Sequence, residues 1–260
     1  MEGNKKSHID KIVGNVDKKG VLSYLEKLGK NKLENELEKT ERDQELIDFS
    51  QKSLDEYLLD YRKDGVYEVL NEKIHIVPAE GVFEFTDGWF KGGSASSLYG
   101  SCLVDRNSSD IIFSIRLFHE MFHLKSFTSI HVRDNNSSPV NRRSGFSIYN
   151  KKGEFFELVD ETINDYFCKK FFEEKIKNSN LFDKEDIEKY NFDSPRFQLL
   201  EKFEEISEDL YQKNKNDFIS KEDVKKLFID GDINGNILPI ARLIEKTYGK
   251  GSFRIAGKKY

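Results

Sequence analysis

The chain has 260 residues, enough for one large domain or two small ones with a sizeable core. Its 37% hydrophobic residues beside 34% charged ones make it polar for a globular protein, but 13% aromatic residues exclude a disordered chain. A net charge of −5 with no basic block argues against nucleic acid as a partner. The two cysteines, Cys102 and Cys168, lie far apart and exclude a disulfide scaffold. Residues 1–20 have no apolar stretch that reads as a secretory signal, and no apolar run is long enough to span a membrane. These features predict a cytoplasmic protein with no membrane span.

Residues 1–64 are rich in Lys and Glu, with apolar residues at helical spacing: Leu22, Tyr24, Leu25 and Leu28, then Leu46, Ile47, Phe49, Leu54, Tyr57 and Leu58. This pattern predicts a charged region of amphipathic helices. Composition shifts near residue 65 towards glycine and β-formers. The stretches EKIHIVP (72–78), GVFEF (81–85) and SLYGSCLVD (97–105) predict short strands, and KGGSASS (91–97) a flexible loop. Residues 110–127 predict a helix that is apolar on nearly every side, and 134–153 a polar connection with a short strand at GFSIY. An aromatic-rich helix is expected over 154–178. The remainder, 179–260, reads as a C-terminal helical region interrupted near Pro195 and at DGDINGN (230–236).

The apolar helix carries the chemistry. In SIRLFHEMFHLKSF (114–127), His119 and His123 stand one turn apart on a shared face, with Glu120 about 100° round the helix. Two imidazoles at this spacing can hold one metal ion, and a neighbouring carboxylate can take a proton from a water that the ion activates. The flanking Ile111, Ile112, Phe113, Leu117, Phe118, Met121, Phe122 and Leu124 bury the helix, and buried His and Glu are costly unless paired or metal-bound. A third ligand is then required. One zinc-protease layout needs a Gly three and a His six residues after the second His. Ser126 and Ser129 stand there, which excludes it. The alternative is a glutamate from the helix FFELVDETINDYF (155–167). Glu161 is the preferred ligand and Glu157 the second choice. Asp165, one turn beyond Glu161, suits a hydrogen bond to the far nitrogen of a ligand His.

FHEMFHLKS followed by ELVDETINDYF resembles the gluzincin zinc metallopeptidases, and small bacterial gluzincin-like proteins more than the large secreted enzymes. Members pair a His-Glu-x-x-His helix with a segment of the type Asn-Glu-Gly-x-x-Glu-Tyr, matched here by Asp160, Glu161, Thr162, Asp165 and Tyr166. Asp160 departs from the usual Asn, and Thr162 from the usual Gly or Ala. The resemblance implies an α+β, zincin-like fold: a small mixed sheet over a buried active-site helix, with helices flanking at both ends and a catalytic core over 65–178. SCLVD or EKIHIVP would supply the sheet edge that pairs with an extended peptide. It implies Zn2+ held by His119, His123 and Glu161, with Glu120 as general base in hydrolysis of a peptide or protein substrate. Tyr149, His131 and Tyr166 are candidate oxyanion stabilisers. The alternative is a catalytically silent zincin-fold binding or regulatory protein with a structural zinc. DGDINGNILPIA (230–241) resembles a calcium loop, but Ala241 stands where a bidentate Glu is required, so an ordinary turn is expected.

Overall fold

The computed structural model describes residues 7–30, 33, 35–62, 65–86, 92–106, 109–133, 139–190 and 197–258. Strand β1 (Lys11–Val13) leads into helices α1 (Lys18–Leu28) and α2 (Glu41–Leu59). Strand β2 (Ile74–Pro78), the short helix α3 (Gly81–Phe85), β3 (Gly93–Ser96) and β4 (Ser101–Arg106) come next. Helix α4 (Asp110–Lys125) precedes four short strands, β5 (Thr128–His131), β6 (Asn141–Ser144), β7 (Ser147–Asn150) and β8 (Gly153–Phe155). Helix α5 (Glu157–Phe171) ends in a π-helical turn over Phe172–Ile176. Helices α6 (Lys184–Lys189), α7 (Phe197–Lys213), α8 (Lys221–Ile233), α9 (Leu238–Tyr248) and α10 (Ser252–Ala256) follow. The fold is mixed α+β: two small mixed sheets flanked by helices.

One sheet has the order β2-β4-β3, with β2 parallel and β3 antiparallel to β4. Strands β2 and β4 are buried almost end to end, as expected of apolar strands covered on both faces. On the outer side of β2, Leu37 N–H donates to the Ile76 carbonyl at 2.8 Å. Among the described residues no strand pairs with the outer side of β3, so β3, like β2, is an edge strand of this sheet. The second sheet runs β1-β5-β6-β7-β8, with β1 parallel to β5 and the rest antiparallel.

Helix α4 lies at the centre. Ile111, Phe113, Leu117, Phe118, Met121, Phe122 and Leu124 are all essentially inaccessible, as a helix apolar all round demands. Its start is fixed twice. The Ser109 hydroxyl accepts from Ile112 N–H at 3.3 Å, and Asp110 is gripped by Arg42 and Arg106 at 2.8 and 2.7 Å. Arg106 also holds Asp43 of α2 at 2.7 Å, which ties the two helix starts together. Helix α5 lies against α4 through Phe118 stacked on Phe171 (4.4 Å between centroids) and Phe122 beside Phe167. Asn164 on α5 donates to the His119 carbonyl at 2.9 Å, which sets the register of the two helices at the histidines.

A single apolar cluster draws on the whole chain: Leu46 and Leu54 from α2, Phe118 from α4, Phe167 from α5, Phe203 from α7, Ile229 from α8 and Ile240 from α9. The stretches 1–64, 65–178 and 179–260 therefore share one core.

Several expected elements differ. GVFEF (81–85) forms α3 and not a strand. Glu80 takes a left-handed turn (φ 69°), Asp105 accepts from Val82 N–H at 2.8 Å, and a helical turn suffices to bury Val82 against Val77 and Leu103. Within the expected loop 91–97, Gly93–Ser96 forms β3; its small residues fit where β4 and α4 leave little room. SCLVD is the central strand of its sheet, and EKIHIVP lies at the edge away from β3. The connection 134–153 contains β6, β7 and the start of β8, and the sheet around them is mostly absent from the pattern of the sequence. The interruption expected near Pro195 falls outside the described residues.

Candidate metal centre

Three side chains from two helices converge on one point. His119 Nε2 and His123 Nε2 lie 3.3 Å apart on α4. His119 Nε2 lies 3.3 Å from Glu161 Oε2, and His123 Nε2 3.3 Å from Glu161 Oε1, on α5. A tetrahedral ion with bonds of about 2.0–2.1 Å to nitrogen holds its ligand atoms about 3.3–3.4 Å apart, the spacing found here. The arrangement is also chemically unbalanced without a cation. The Nδ1 atoms of both imidazoles face carboxylates: His123 Nδ1 lies 3.2 Å from Asp160 and His119 Nδ1 3.6 Å from Asp165. With each Nδ1 as the donor, both Nε2 lone pairs and the Glu161 carboxylate point at the same space. The donor set of two imidazoles and a carboxylate thus fits zinc. In the metal-free chain a proton takes part of that role. Burial opposes charge on His119, but Asp165, Cys168 and Glu120 outweigh it and raise its pKa from 6.5 to about 10.

Behind the histidines lies a layer that the sequence disclosed only in part. Asp165, whose spacing suits a bond to a ligand histidine, lies 3.6 Å from His119 Nδ1, a long contact that still helps raise the pKa of His119. Asp160 makes the closer contact, to His123, and accepts from Phe146 N–H at 2.7 Å. Burial works against its charge, yet His123, Asp232 and the Phe146 amide hold its pKa below the ordinary value. Asp232, from the end of α8, is fully buried and accepts from the Ser126 hydroxyl at 2.7 Å. Its other oxygen has no donor aimed at it. Two carboxylates hydrogen-bond only when one carries a proton. Burial and the neighbouring Asp160 push Asp232 well above the carboxylate range, so Asp232 is the acid and Asp160 the anion. Gly145 (φ 54°) turns the chain over this pair, where a Cβ would fall 2.0 Å from Asp160 Oδ1 and 2.6 Å from Asp232 Oδ2.

His119, Asp165 and Cys168 form a second cluster of possible ligands. Cys168 is buried, its thiol bonds Asn164 Oδ1 at 3.5 Å, and burial raises its pKa even against the pull of His119. The two clusters share His119, and it is the Nε2 side, with His123 and Glu161, that opens onto a cleft.

The three candidate ligands open onto a cleft of about 230 Å³. Glu120, 7% exposed, lines it beside Ser94 and Ala95 of β3. Gly93 makes this possible: a Cβ there would lie 2.3 Å from Glu120 Oε1. Tyr149 on β7 also lines the cleft, bonded to Glu154. Burial, and then Glu154, raise its pKa, so its hydroxyl remains a proton donor at neutral pH. Glu157 lines the cleft as well, but Glu161 is the acid within reach of both histidines. His131 lies outside the cleft, with Nδ1 3.3 Å from Asn141 Nδ2. Tyr166 packs on Phe167 and Phe203 and lines a separate hollow with Lys169 and Glu173.

The segment 230–241 forms no ring of acids. Asp230 accepts from Asn234 and Asn236 side chains at 2.7 and 2.8 Å, Asp232 points into the core, and α9 begins at Leu238. Comparisons with family models, with curated proteins and with solved structures find no match for this chain.

Proposed function

We propose that this chain is a zinc-dependent peptidase of the gluzincin type. The observation that carries the reading is the convergence of His119, His123 and Glu161 at 3.3 Å spacing, in a cleft that Glu120 also lines. A bound zinc ion supplies Lewis-acid polarisation of a carbonyl and lowers the pKa of water towards about 7. The chain's own residues do the remainder. The Glu120 carboxylate takes a proton from the attacking water and returns it to the nitrogen of the leaving amine. The Tyr149 hydroxyl, protonated and in the same cleft, would exchange its bond to Glu154 for one donated to the oxygen that gains negative charge. The outer edge of β3 offers backbone groups to an extended peptide and so orients the scissile bond over the metal ligands.

Metal analysis and a peptide library test the reading together. The purified chain is expected to hold stoichiometric zinc and to lose it in His119→Ala. Glu120→Gln is expected to keep zinc and to lose cleavage by about 10²- to 10⁴-fold. Zinc without cleavage of any peptide would favour the second reading, a zinc-stabilised binding protein. A chain that holds no zinc sinks both.

A further inference from the structure

Beside the metal cleft lies a larger groove of about 830 Å³ whose charge is at odds with that of the chain. The protein carries −5 overall, yet Arg133, Arg142, Lys151 and Lys152 line this groove, and among the described residues no acid does. Among the described residues none of these four cations has a carboxylate within salt-bridge distance. Elsewhere on the surface such partners are common: Lys30 with Glu72, Lys177 with Glu173, Lys213 with Asp209 and Lys246 with Asp217.

The groove is continuous with the cleft. Arg142 and Tyr149 line both, and where β3 ends Ser97 faces the cleft while Leu98 faces the groove. An extended chain lying along β3 over the metal ligands therefore runs past Arg142 into the basic groove. Arg142 is held ready at the junction. It is paired with Tyr149 across β6 and β7, its guanidinium lies 4.2 Å from the Tyr149 ring centroid, and its buried Nε has no partner. A guanidinium so oriented suits a carboxylate, to which its terminal nitrogens can donate in pairs. Among the described residues the lining holds two aromatic rings, Tyr149 and His131, and Arg142 lies over the Tyr149 ring. The groove thus offers few of the stacking faces on which single-stranded nucleic acid relies.

The geometry points to a specificity for acidic peptides: a substrate whose Asp or Glu side chains, to one side of the scissile bond, lie in the groove against Arg142, Lys151, Lys152 and Arg133. This rests on the peptidase reading for its account of the scissile bond, but the binding can be tested alone.

The probe is a fluorescent peptide rich in glutamate, and its glutamine counterpart, titrated into zinc-loaded Glu120→Gln protein. Each partly exposed ion pair contributes about two- to fivefold, so the glutamate peptide is expected to bind about tenfold tighter or more. The preference should shrink as salt rises. It should fall several-fold in Lys151→Gln/Lys152→Gln, whose changes on an exposed hairpin leave the fold intact, and again in Arg142→Gln. Equal binding of the two peptides, or a preference that survives these substitutions, overturns the inference. So does a single-stranded oligonucleotide that binds more tightly than the glutamate peptide. Cleavage of peptides by the unmodified protein without acidic preference removes the groove's role and leaves the peptidase reading standing. Charge-dependent acidic binding without any cleavage supports the groove and removes the peptidase.

Discussion

Asp160→Ala tests the layer behind the proposed metal ligands. The substitution removes the carboxylate 3.2 Å from His123 Nδ1, the acceptor for Phe146 N–H at 2.7 Å and the partner of Asp232. Loss of a group that orients a metal-binding histidine weakens the metal by about 10- to 100-fold, or about 1.4–2.7 kcal/mol. The fold pays separately, because an amide and a carboxylic acid buried without partners cost about 1–3 kcal/mol each. Asp165→Ala is the internal comparison. Its oxygen lies 3.6 Å from His119 Nδ1, beyond good hydrogen-bond reach, so its effect on zinc is expected to be under about tenfold. Competition for zinc with a chromophoric chelator measures the affinities, and thermal melting of the zinc-free proteins measures the fold. Asp160→Ala should be the weaker binder and the less stable protein. If it binds zinc as the unmodified chain does, or if Asp165→Ala is the weaker of the two, the account of the centre is wrong.

Three further outcomes follow from the same geometry. Gly93→Ala puts a methyl group 2.3 Å from Glu120 Oε1, so it should displace that carboxylate. Peptide cleavage is expected to fall at least about tenfold with zinc content unchanged, and equal loss of both would refute this placement. If His119 ligates zinc as proposed, the ion displaces the proton that His119 holds up to about pH 10 in the metal-free chain. Apparent zinc affinity should therefore rise by up to about tenfold per pH unit between neutral pH and that point. The sign reverses for the metal-free fold: a pKa raised from 6.5 stabilises it fully below 6.5 and ceases to do so as pH passes about 10, so its melting temperature should fall across that window. A flat zinc-affinity profile would contradict both. Finally, Asp232→Asn should be tolerated, because an amide donates to Asp160 as a protonated acid does. Asp232→Ala should cost about 1–3 kcal/mol in urea unfolding, and equal costs for the two variants would mean that Asp232 is ionised.

What the sequence disclosed follows the range of the forces involved. The burial of α4 is local and strong, since Phe113, Leu117, Phe118, Met121 and Phe122 leave no polar face wide enough for solvent. His119 and His123 inherit their common face from helical spacing alone. Glu161 was accessible for a similar reason, through its place in an aromatic helix. Strand β3 was not. Gly-Ser-Ala-Ser has no preference for a strand, and becomes one because β4 provides a partner and α4 leaves room only for small side chains. The second sheet is built from TSIH, NRRS and SIYN, whose polar residues give no clean alternation, so its pairing is decided by neighbours distant in the chain.

Asp160 and Asp232 show how far this limit reaches into the site. Asp160 was visible only as a departure from an expected Asn, and nothing local marks it as the anion that steadies His123. Asp232 lay within a stretch whose spacing of acids and glycine imitates a calcium loop. In the fold that stretch is the last turn of α8, and its end meets α4: Phe127 N–H donates to the Asp232 carbonyl at 3.0 Å and the Ser126 hydroxyl to its side chain. One acid of the motif, Asp230, remains in the turn and bonds two asparagines; the other becomes a neutral group in the core. The proton that separates Asp232 from Asp160 depends on burial by α4, β6 and α8 together. No motif of adjacent residues encodes that, whereas the two histidines it serves are encoded by four positions of a single helix.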